Sequence, residues 1–545
     1  MTHEAGFDGL RNTSVEETLA YYRSLGATFD NPPQITLKLM SQTLPGEDPV
    51  GARDVVISTA VQCYAPGVAK LSVREGEKMH NIADSTLEAG HHTTRMHMNY
   101  TWQLVGVSRS FTREVAHANP YYNTEQQSQR YVEAKEGNYL VPSDLDPAQR
   151  EVFLATASMA NAFYFELLPA LAPVIEQRMR EMYPKSGWNS LSTADRLNKK
   201  RDKIAQEVAR YVLPIAQKTN YFHTLNELQL LRLFRASQMD QVSDEARFVI
   251  GQMVETVLGV DGTFMSELRA PLTSDDTIIA RDEYFQGNTS EFDALLDGSS
   301  SVLLDYPTHV TTTVPFSVRN VLGASRESLS DEDAWRLVLD PAQNPYLSDT
   351  YDVGIMDPVT QSLRQAQFVW ATKLSHAADS QRQRHRRTPG APPPLRSLYT
   401  GQPDYIKPLI VRENAQLNES YDQMMERIYS GVSHLLDMGT PADSALSLLP
   451  NAHAVRVVES GDLLDWHHRL KQRLCYLAQE EIFFISVDQA SDIVKRIPAA
   501  DHSFLAPCGI RQHAGVKPRC PEGDRFCGVP VFHMQIDEYR AKRLI

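Results

Sequence analysis

The sequence predicts an α+β protein of two tandem repeats followed by a cysteine-containing C-terminal extension. Short strand-like runs such as YTWQLVGV, residues 100–107, stand among longer helical patterns. An offset of 236 residues lays Pro450 on Pro214 without a gap. The same offset lays Glu481 on Glu245, which indicates an internal repeat.

The spacing of apolar residues predicts the elements in chain order. The run VVISTAVQCYA, residues 55–65, fits either a strand or a buried helix. Residues 146–182 have helical spacing, and we expect this helix to break near Pro169 and Pro173. Another helix is expected to stop before Pro214. Further helical patterns cover residues 224–234 and 240–258.

Composition indicates where the repeats begin and end. Residues 259–350 are richer in Gly, Pro, Ser and Asp than the helical segments, so a boundary is placed there. The predicted order is an N-terminal extension over 1–34, a first repeat over 35–258, a connecting region over 259–339, a second repeat over 340–485 and the C-terminal extension over 486–545.

Charge and hydropathy exclude several classes of function. The 545-residue chain has a net charge of −14, so we expect no nucleic acid polymer as a partner. No run approaches the roughly 18 apolar residues of a membrane span. The N-terminus also lacks the basic-then-apolar pattern of a signal peptide. We therefore expect a cytoplasmic protein without membrane contact, in which a few arginines suffice to bind a small anion.

Two short segments carry residues suited to anion binding. Within SQRY, Ser128 and Arg130 can hold a phosphate through a hydroxyl and a guanidinium fork, although a solvated polar turn is the alternative. Arg384, His385 and Arg386 lie in a run that has four arginines within six residues. Such a run is by itself typical of a basic surface.

These segments occur in the order of a known family. GHHT at 90–93, SQRYV at 128–132, EVARYVLP at 207–214 and TLNELQLL at 224–231 resemble the flavin-dependent thymidylate synthases. The second half resembles the same family more faintly, through RHR at 384–386, Leu449-Pro450 and a helix that ends near Arg473. The resemblance implies that each repeat packs helices on a small mixed sheet.

The two halves have lost complementary parts of the family pattern. The first half keeps SQRY but has no arginine where RHR belongs, whereas the second keeps RHR but has a proline run where SQRY belongs. The offset adds two losses, Leu446 at the position of Arg210 and Ser237 at that of Arg473, with Arg235 the nearest substitute. We therefore expect one composite site built from both halves, whose twin has decayed.

The resemblance implies a role for each retained residue. Gln127, Ser128 and Arg130 would bind the nucleotide substrate, the last two at its phosphate. Arg210 and Arg473 would bind the sugar and uracil and serve as the catalytic residues. FAD would lie against the cofactor-binding residues His91, Asn226, Arg384, His385 and Arg386.

The implied function is flavin-dependent methylation at C5 of a deoxyuridine nucleotide, dUMP to dTMP, with FAD as cofactor. Methylenetetrahydrofolate and NADPH would be co-substrates. Because members of this family are homotetramers with shared sites, the duplicated chain is expected to be a homodimer. Met96 stands where the family has a glutamate. Two alternatives therefore stay open, the same chemistry on another pyrimidine nucleotide or a catalytically silent nucleotide- or flavin-binding protein.

The C-terminal extension contains a candidate metal site. Cys508, His513, Cys520 and Cys527 could bind zinc, or the three cysteines could hold an iron–sulfur cluster with a ligand from elsewhere. No CxxC pair is present, so reduced structural cysteines are an equal alternative. The remaining two cysteines, Cys63 and Cys475, lie in apolar surroundings and are expected in the core.

Overall fold

A computed structural model describes residues 14–42, 44, 49–74, 76–118, 122–142, 145–182, 191–239, 242–272 and 288–545. Residues 1–13 of the predicted N-terminal extension lie outside this part. Within it, eight strands form two separate four-stranded sheets, and helices surround both. The α+β prediction is therefore confirmed.

The first sheet consists of β1 (Gln34–Met40), β2 (Asn99–Ser108), β3 (Asn123–Gln126) and β4 (Lys218–Asn226). Its order is β1-β2-β4-β3, and every neighbouring pair is antiparallel. Alternate residues of β2, Tyr100, Trp102 and Leu104, are buried, as the two-residue period of a strand requires. Asn99 of β2 lies opposite Asn226 of β4.

The second sheet repeats this arrangement with β5 (Ser301–Asp305), β6 (Gln367–Ser375), β7 (Gly390–Ala391) and β8 (Ala454–Asp462). The order β5-β6-β8-β7 is that of the first sheet, and all pairs are again antiparallel. The expected tandem repeat is thus present in the fold, but the expectation of mixed sheets was wrong. Because β5 pairs with β6, the second sheet begins before residue 340. The other domain bounds stay a prediction.

The first repeat and the segment before it contain eight α-helices in the described residues. These are Val15–Ser24, Ala52–Gln62, Glu77–Glu88, Arg109–Ala118, Pro147–Met182, Leu191–Ala209, Glu227–Ala236 and Asp244–Leu258. The ambiguous run at 55–65 is therefore mostly helical. Residues 224–226 belong to β4 instead of a helix, because the Asn226 side chain caps the next helix by accepting from Gln229 N at 3.0 Å.

The rest of the described chain has twelve further α-helices. They are Ser290–Leu296, Val310–Leu322, Asp331–Leu339, His376–Arg382, Leu395–Leu398, Leu409–Arg412, Ala415–Asp437, Ala442–Leu446, Leu463–Arg473, Glu480–Arg496, Pro507–His513 and Ile536–Lys542.

The expected break in the long helix was wrong, since Pro147–Met182 is continuous with Pro169 and Pro173 inside it. Leu167, Leu171 and Ile175 are all buried and recur every four residues across the prolines. This apolar stripe keeps its packing where the prolines remove hydrogen bonds. By length and composition this helix could span a membrane, whereas the sequence was expected to contain no such segment. A buried core helix of the same length and composition meets these criteria as well.

The two repeats meet at Pro214 and Pro450, which form an antiparallel bridge. The backbone hydrogen bonds around it come in matched pairs: Ile215 N donates to Leu449 O at 2.9 Å, and Asn451 N donates to Leu213 O at 2.8 Å. Each donor and acceptor is shifted by 236 residues between the two bonds. Residues separated by the sequence offset of 236 are therefore related in space by a pseudo-twofold axis at this junction.

The repeats also share a hydrophobic cluster, although the first sheet packs in a separate cluster of its own. A single buried cluster contains Leu171 of the long helix, Trp370 of β6 and Met425 of the helix Ala415–Asp437. Tyr539 of the C-terminal extension belongs to the same cluster. The two repeats and the extension are therefore expected to unfold together.

A second buried interaction lies outside this shared core. Both oxygens of Glu267 accept from arginines, Arg53 Nη1 at 2.6 Å and Arg95 Nε at 2.7 Å. All three side chains are almost completely buried. Loss of the glutamate charge would leave buried Arg95 without a carboxylate and Arg53 with only the partly exposed Asp84, at 3.0 Å, which is far costlier than losing an exposed ion pair.

We expect Glu267→Gln to lower the free energy of unfolding by about 3–5 kcal/mol, measured by urea titration with tryptophan fluorescence. The matched control is Glu332→Gln, which breaks an exposed pair with Arg336 and should cost less than about 1 kcal/mol. Equal effects of the two substitutions would contradict the assignment of Glu267 as a buried charge partner.

Candidate functional site

A serine–glutamate pair anchors the same helix in each repeat. Ser108 N donates to Glu245 at 2.7 Å, and Ser375 N donates to Glu481 at 2.6 Å. In both cases the serine ends a central strand and the glutamate begins a helix after the proline junction. These pairs fix the start of the helices that follow β2 and β6, and both starts contact the junction, where Ser110 N donates to Ile215 O at 3.0 Å and Ala377 N donates to Asn451 O at 2.9 Å.

Five arginines from the two repeats converge beside this junction. Burial, with the nearby charges of Arg210 and Arg384, lowers the pKa of Arg109 to about 9. Burial lowers the pKa of Arg473 to about 9 as well, helped by Arg130 and Arg384. The first repeat supplies three of these guanidinium groups and the second supplies two. We call this set the arginine cluster.

Negative charge is scarce within the arginine cluster. Arg130 pairs with Glu207, which raises the pKa of this guanidinium despite burial. None of the other four arginines pairs with a carboxylate among the described residues. Arg109 Nε and Arg210 Nη2 are buried and have no hydrogen-bond acceptor there. Such unpaired buried cations favour a bound anion.

Contacts between the repeats position the arginines of the first repeat. Arg130 Nη2 donates to Leu477 O of the second repeat at 2.6 Å. The side-chain amide of Asn451 donates to Arg210 O at 3.0 Å and to Gln129 Oε1 at 3.3 Å. One second-repeat asparagine therefore ties together the SQRY turn and the Arg210 segment.

Arg473 is held within the second repeat. It ends the helix Leu463–Arg473, and its Nε donates to His385 Nε2 at 2.8 Å while Nη2 donates to Gln381 O at 2.9 Å. Burial, followed by the charge of Arg473, holds the pKa of His385 well below its ordinary value. His385 is therefore neutral and can accept this hydrogen bond.

A cavity of about 500 Å³ adjoins the arginine cluster and is shared by the repeats. It is lined by four of the five residues predicted for the cofactor, Asn226, Arg384, His385 and Arg386. Arg386 lies 4.7 Å over the ring of Tyr122 from the first repeat. His91, the fifth, is exposed and does not line the cavity.

Of the predicted substrate residues, Arg130, Arg210 and Arg473 belong to the arginine cluster, and Gln127 and Ser128 precede Arg130 in the chain. Ser128 Oγ accepts from Arg130 N at 3.2 Å, so the two form a tight polar turn. Gln127 is exposed, and its carbonyl accepts from Arg109 Nη2 at 2.6 Å. Arg109 and Tyr122 were missing from the predicted site. Arg109 could have been found, because it directly follows the strand that carries the family resemblance.

The twofold relation places a second cavity, the twin cavity, at the equivalent position. It is lined by Leu446 and Ser237, which the offset places at Arg210 and Arg473. Arg235 does not replace the lost Arg473, because it is exposed and donates to Ala270 O instead. The described structure therefore places Arg210 and Arg473 near the same arginine, Arg130, while their replacements line the twin cavity.

Comparison with known proteins identifies both repeats with one family. The profile of "Thymidylate synthase complementing protein" matches residues 47–261 and 337–499. A flavin-dependent thymidylate synthase of Clostridium tetani (strain Massachusetts / E88) is 30% identical over 208 residues, which are 37% of this chain and 76% of the relative. One of Corynebacterium diphtheriae is 29% identical over 201 residues, 36% and 72% of the two chains. The predicted family and duplication are confirmed.

A solved structure also matches part of the chain. The UMP/dUMP methylase PolB from Streptomyces cacaoi, bound with 5-Br dUMP, is 16% identical and has a TM-score of 0.30. The match covers 43% of this chain and 93% of that one. At this TM-score the likeness carries no conclusion about this chain.

The predicted metal ligands are not assembled in the described residues. The ring of His513 stacks on His502, with centroids 3.8 Å apart, and no group of three metal-ligating side chains is arranged for a metal ion there. Cys508 and His513 lie five residues apart on one helix and so point about 140° apart. A small cavity is lined instead by Cys475, Cys508, Cys520 and Cys527.

Cys63 is exposed, contrary to the expectation of a core position. Burial raises the pKa of Cys475 to about 11 and that of Cys508 to about 12, so both are thiols at neutral pH. We expect iodoacetamide at pH 7.5 to alkylate Cys63 of the native protein first, and Cys475 and Cys508 only after unfolding. Peptide mass spectrometry measures the order, and rapid alkylation of Cys508 would contradict it. Cys63→Ser is the control that removes the fast phase.

Proposed function

Because the chain belongs to the thymidylate synthase complementing protein family and is an enzyme of that type, we propose that it methylates C5 of a deoxyuridine nucleotide, dUMP to dTMP. The observation that carries the proposal is the arginine cluster, to which both repeats contribute and in which four of the five guanidinium groups have no carboxylate partner among the described residues. The names of the relatives, flavin-dependent thymidylate synthases, supply the chemistry.

The nucleotide phosphate would bind at the SQRY turn. The Ser128 hydroxyl and the Arg130 guanidinium offer a donor and a charge within one turn. Glu207 and Leu477 O hold Arg130 in place, so little side-chain entropy is lost on binding. Gln127 would lie at the open edge, since its side chain is exposed.

Arg210 and Arg473 would contact the sugar and the uracil ring. Formation of the new carbon–carbon bond at C5 requires negative charge to develop on a uracil oxygen. A buried guanidinium stabilises such charge strongly. Arg473 is suited to this role because His385 and Gln381 fix two of its nitrogens and leave Nη1 without a hydrogen-bond partner among the described contacts. The protein would thus supply orientation and charge stabilisation without a covalent nucleophile.

The cavity shared by the repeats fits FAD through its donor set. Arg384, Arg386 and Asn226 offer donors to phosphate and ring oxygens, and Tyr122 offers an aromatic surface. When bound, FAD would supply redox chemistry, with methylenetetrahydrofolate as the one-carbon donor and NADPH as the reductant. The exposed His91 would reach the cofactor only outside this cavity.

The residues proposed for the composite site all come from the two repeats of one chain. A homodimer therefore stays a separate part of the proposal, which light scattering of the purified protein measures. A cytoplasmic location and the nucleotide as the small-molecule partner belong to the same proposal.

The direct test is anaerobic spectroscopy of the purified, FAD-loaded protein after reduction. The flavin absorbance band should return only when dUMP and methylenetetrahydrofolate are both added. A band that returns with another pyrimidine nucleotide in place of dUMP would change the substrate. A protein that takes up no FAD, or whose band never returns without oxygen, would contradict the proposed catalysis.

Substitutions test whether one site uses both repeats. Arg130→Ala and Arg473→Ala should each weaken dUMP binding about tenfold or more, because each removes a charge-assisted hydrogen bond. Arg473→Ala should also lower kcat about 10²-fold or more, because it removes charge stabilisation at the uracil. Calorimetry and the spectral assay give the two numbers.

Arg235→Ala is the matched control for these variants, since Arg235 is exposed and lies outside the arginine cluster. It should bind dUMP as the unmodified protein does. A loss in only one of the variants Arg130→Ala and Arg473→Ala would count against a composite site.

A further inference from the structure

The twin cavity is an open space of about 940 Å³, within the range of small-molecule sites. If this second site had lost its function without gaining another, side chains would be expected to fill it, because empty apolar volume lowers the stability of a fold. Here the segment before the first repeat adds wall instead, through Leu25 and Phe29. The cavity is therefore a built feature of the fold.

Hydrogen bonds show which residues of the two cavities correspond. In the composite site Gln381 Nε2 donates to Gln479 Oε1 at 3.4 Å. In the twin cavity Glu114 accepts from Ser243 N at 2.9 Å and Ser243 Oγ at 2.7 Å. Ser243 is at the offset position of Gln479. Glu114 of the twin cavity thus corresponds to Gln381 of the composite site, which places a carboxyl group where the other site has a neutral amide.

The same correspondence holds for the other acidic residue. Glu207, which pairs with Arg130, has Asp443 at its offset position. Asp443 lines the twin cavity, and its carboxylate has no hydrogen bond or ion pair among the described residues. Burial raises the pKa of Glu114 to about 8, and the charge of Asp443 adds to this rise. The two carboxylates therefore face one region of the cavity.

The arginines of the twin cavity are largely committed to protein groups. Arg113 donates to Asp379 at 3.2 Å and to Pro393 O at 3.0 Å. Arg247 pairs with Asp244 at 2.7 Å. Restricted hydration in the cavity raises the pKa of Asp443, and the nearby charges of Arg247 and of the remaining arginine, Arg396, lower it in part. Where the composite site has Arg210 and Arg473, the twin cavity thus has Leu446 and Ser237, and because Glu114 is largely protonated at neutral pH, Asp443 is the carboxylate left without an ion pair among the described residues there.

Most of the remaining wall is apolar. It comes from the N-terminal segment, the first repeat and the proline run of the second repeat, and includes Leu25, Phe29, Val115, Leu140, Val242, Ile250, Pro392 and Leu446. A ligand that fits this lining must present a hydrophobic body to these residues and a positive group to the carboxylates.

We propose that the twin cavity is a second ligand site, which binds an organic cation composed of a protonated amine on an apolar body, with Asp443 facing the ammonium group. The site is separate from the proposed nucleotide site and does not depend on its activity. It uses the second copy of the duplicated architecture for a ligand of opposite charge.

The test is calorimetric titration of the full chain with three probes of equal shape, 4-phenylbutylamine, 4-phenylbutanol and 4-phenylbutyrate. The amine should bind about tenfold or more tightly than the alcohol, and the carboxylate weakest of the three. Asp443→Asn should abolish the preference for the amine, and Asp443→Lys should reverse it in favour of the carboxylate. Both substitutions are at an exposed side chain.

Glu419→Gln is the control, an exposed carboxylate outside the cavity, and should leave all three affinities unchanged. Circular dichroism and dUMP binding of each variant verify the fold and the composite site. Equal affinity for the amine and the alcohol, an amine preference that survives Asp443→Asn, or displacement of the amine by dUMP would each overturn the proposal. Failure of dUMP turnover alone would leave it standing.

Discussion

The antiparallel junction at Pro214 and Pro450 is the constraint on which the rest of the structure depends. Proline has no backbone N–H, so the bonds that join the repeats come from flanking residues such as Ile215 and Asn451. Their twofold arrangement fixes both the distance and the orientation of the two sheets. The same junction carries Arg210 on one side and the Asn451 amide on the other, and so it also helps to position the arginine cluster.

The arginine cluster is costly in the absence of a ligand. Arg109 and Arg210 are buried, and among the described residues Glu207 is the one carboxylate that pairs directly with the cluster, while Glu481 acts on Arg210 from a greater distance. Buried like charges destabilise a fold unless something compensates them, and here burial together with the charges of Arg210 and Arg384 lowers the pKa of Arg109. An anion that enters would relieve the repulsion and stabilise the folded state by mass action. Despite this cost the groups are held in place, because the long helix Pro147–Met182 packs in a buried cluster that both repeats share.

Much of the fold and of the candidate site could be predicted from the sequence. In a duplicated chain, residues that are equivalent in space are separated by a constant number of residues. Glu245 and Glu481 matched in the sequence, and both make the same bond to a serine at a strand end. Contacts without such a pattern were not predictable. His513 was expected beside the cysteines, but its place on a helix turns it toward His502. The prolines of the long helix were expected to break it, and this expectation was wrong. The packing that keeps the helix continuous is contributed by segments distant in the sequence, so the local pattern could not reveal it.

Duplication within one chain also explains why the two sites could diverge. In a symmetric oligomer every substitution appears in all copies of a site at once, so Leu in place of Arg210 would remove the arginine everywhere. Here residue 446 can become leucine while residue 210 remains arginine. Each position is free to change only where its twin still supplies the needed group. This accounts for losses that are complementary between the repeats, and for a twin cavity whose charge has moved from arginine toward carboxylate while its backbone frame stays the same.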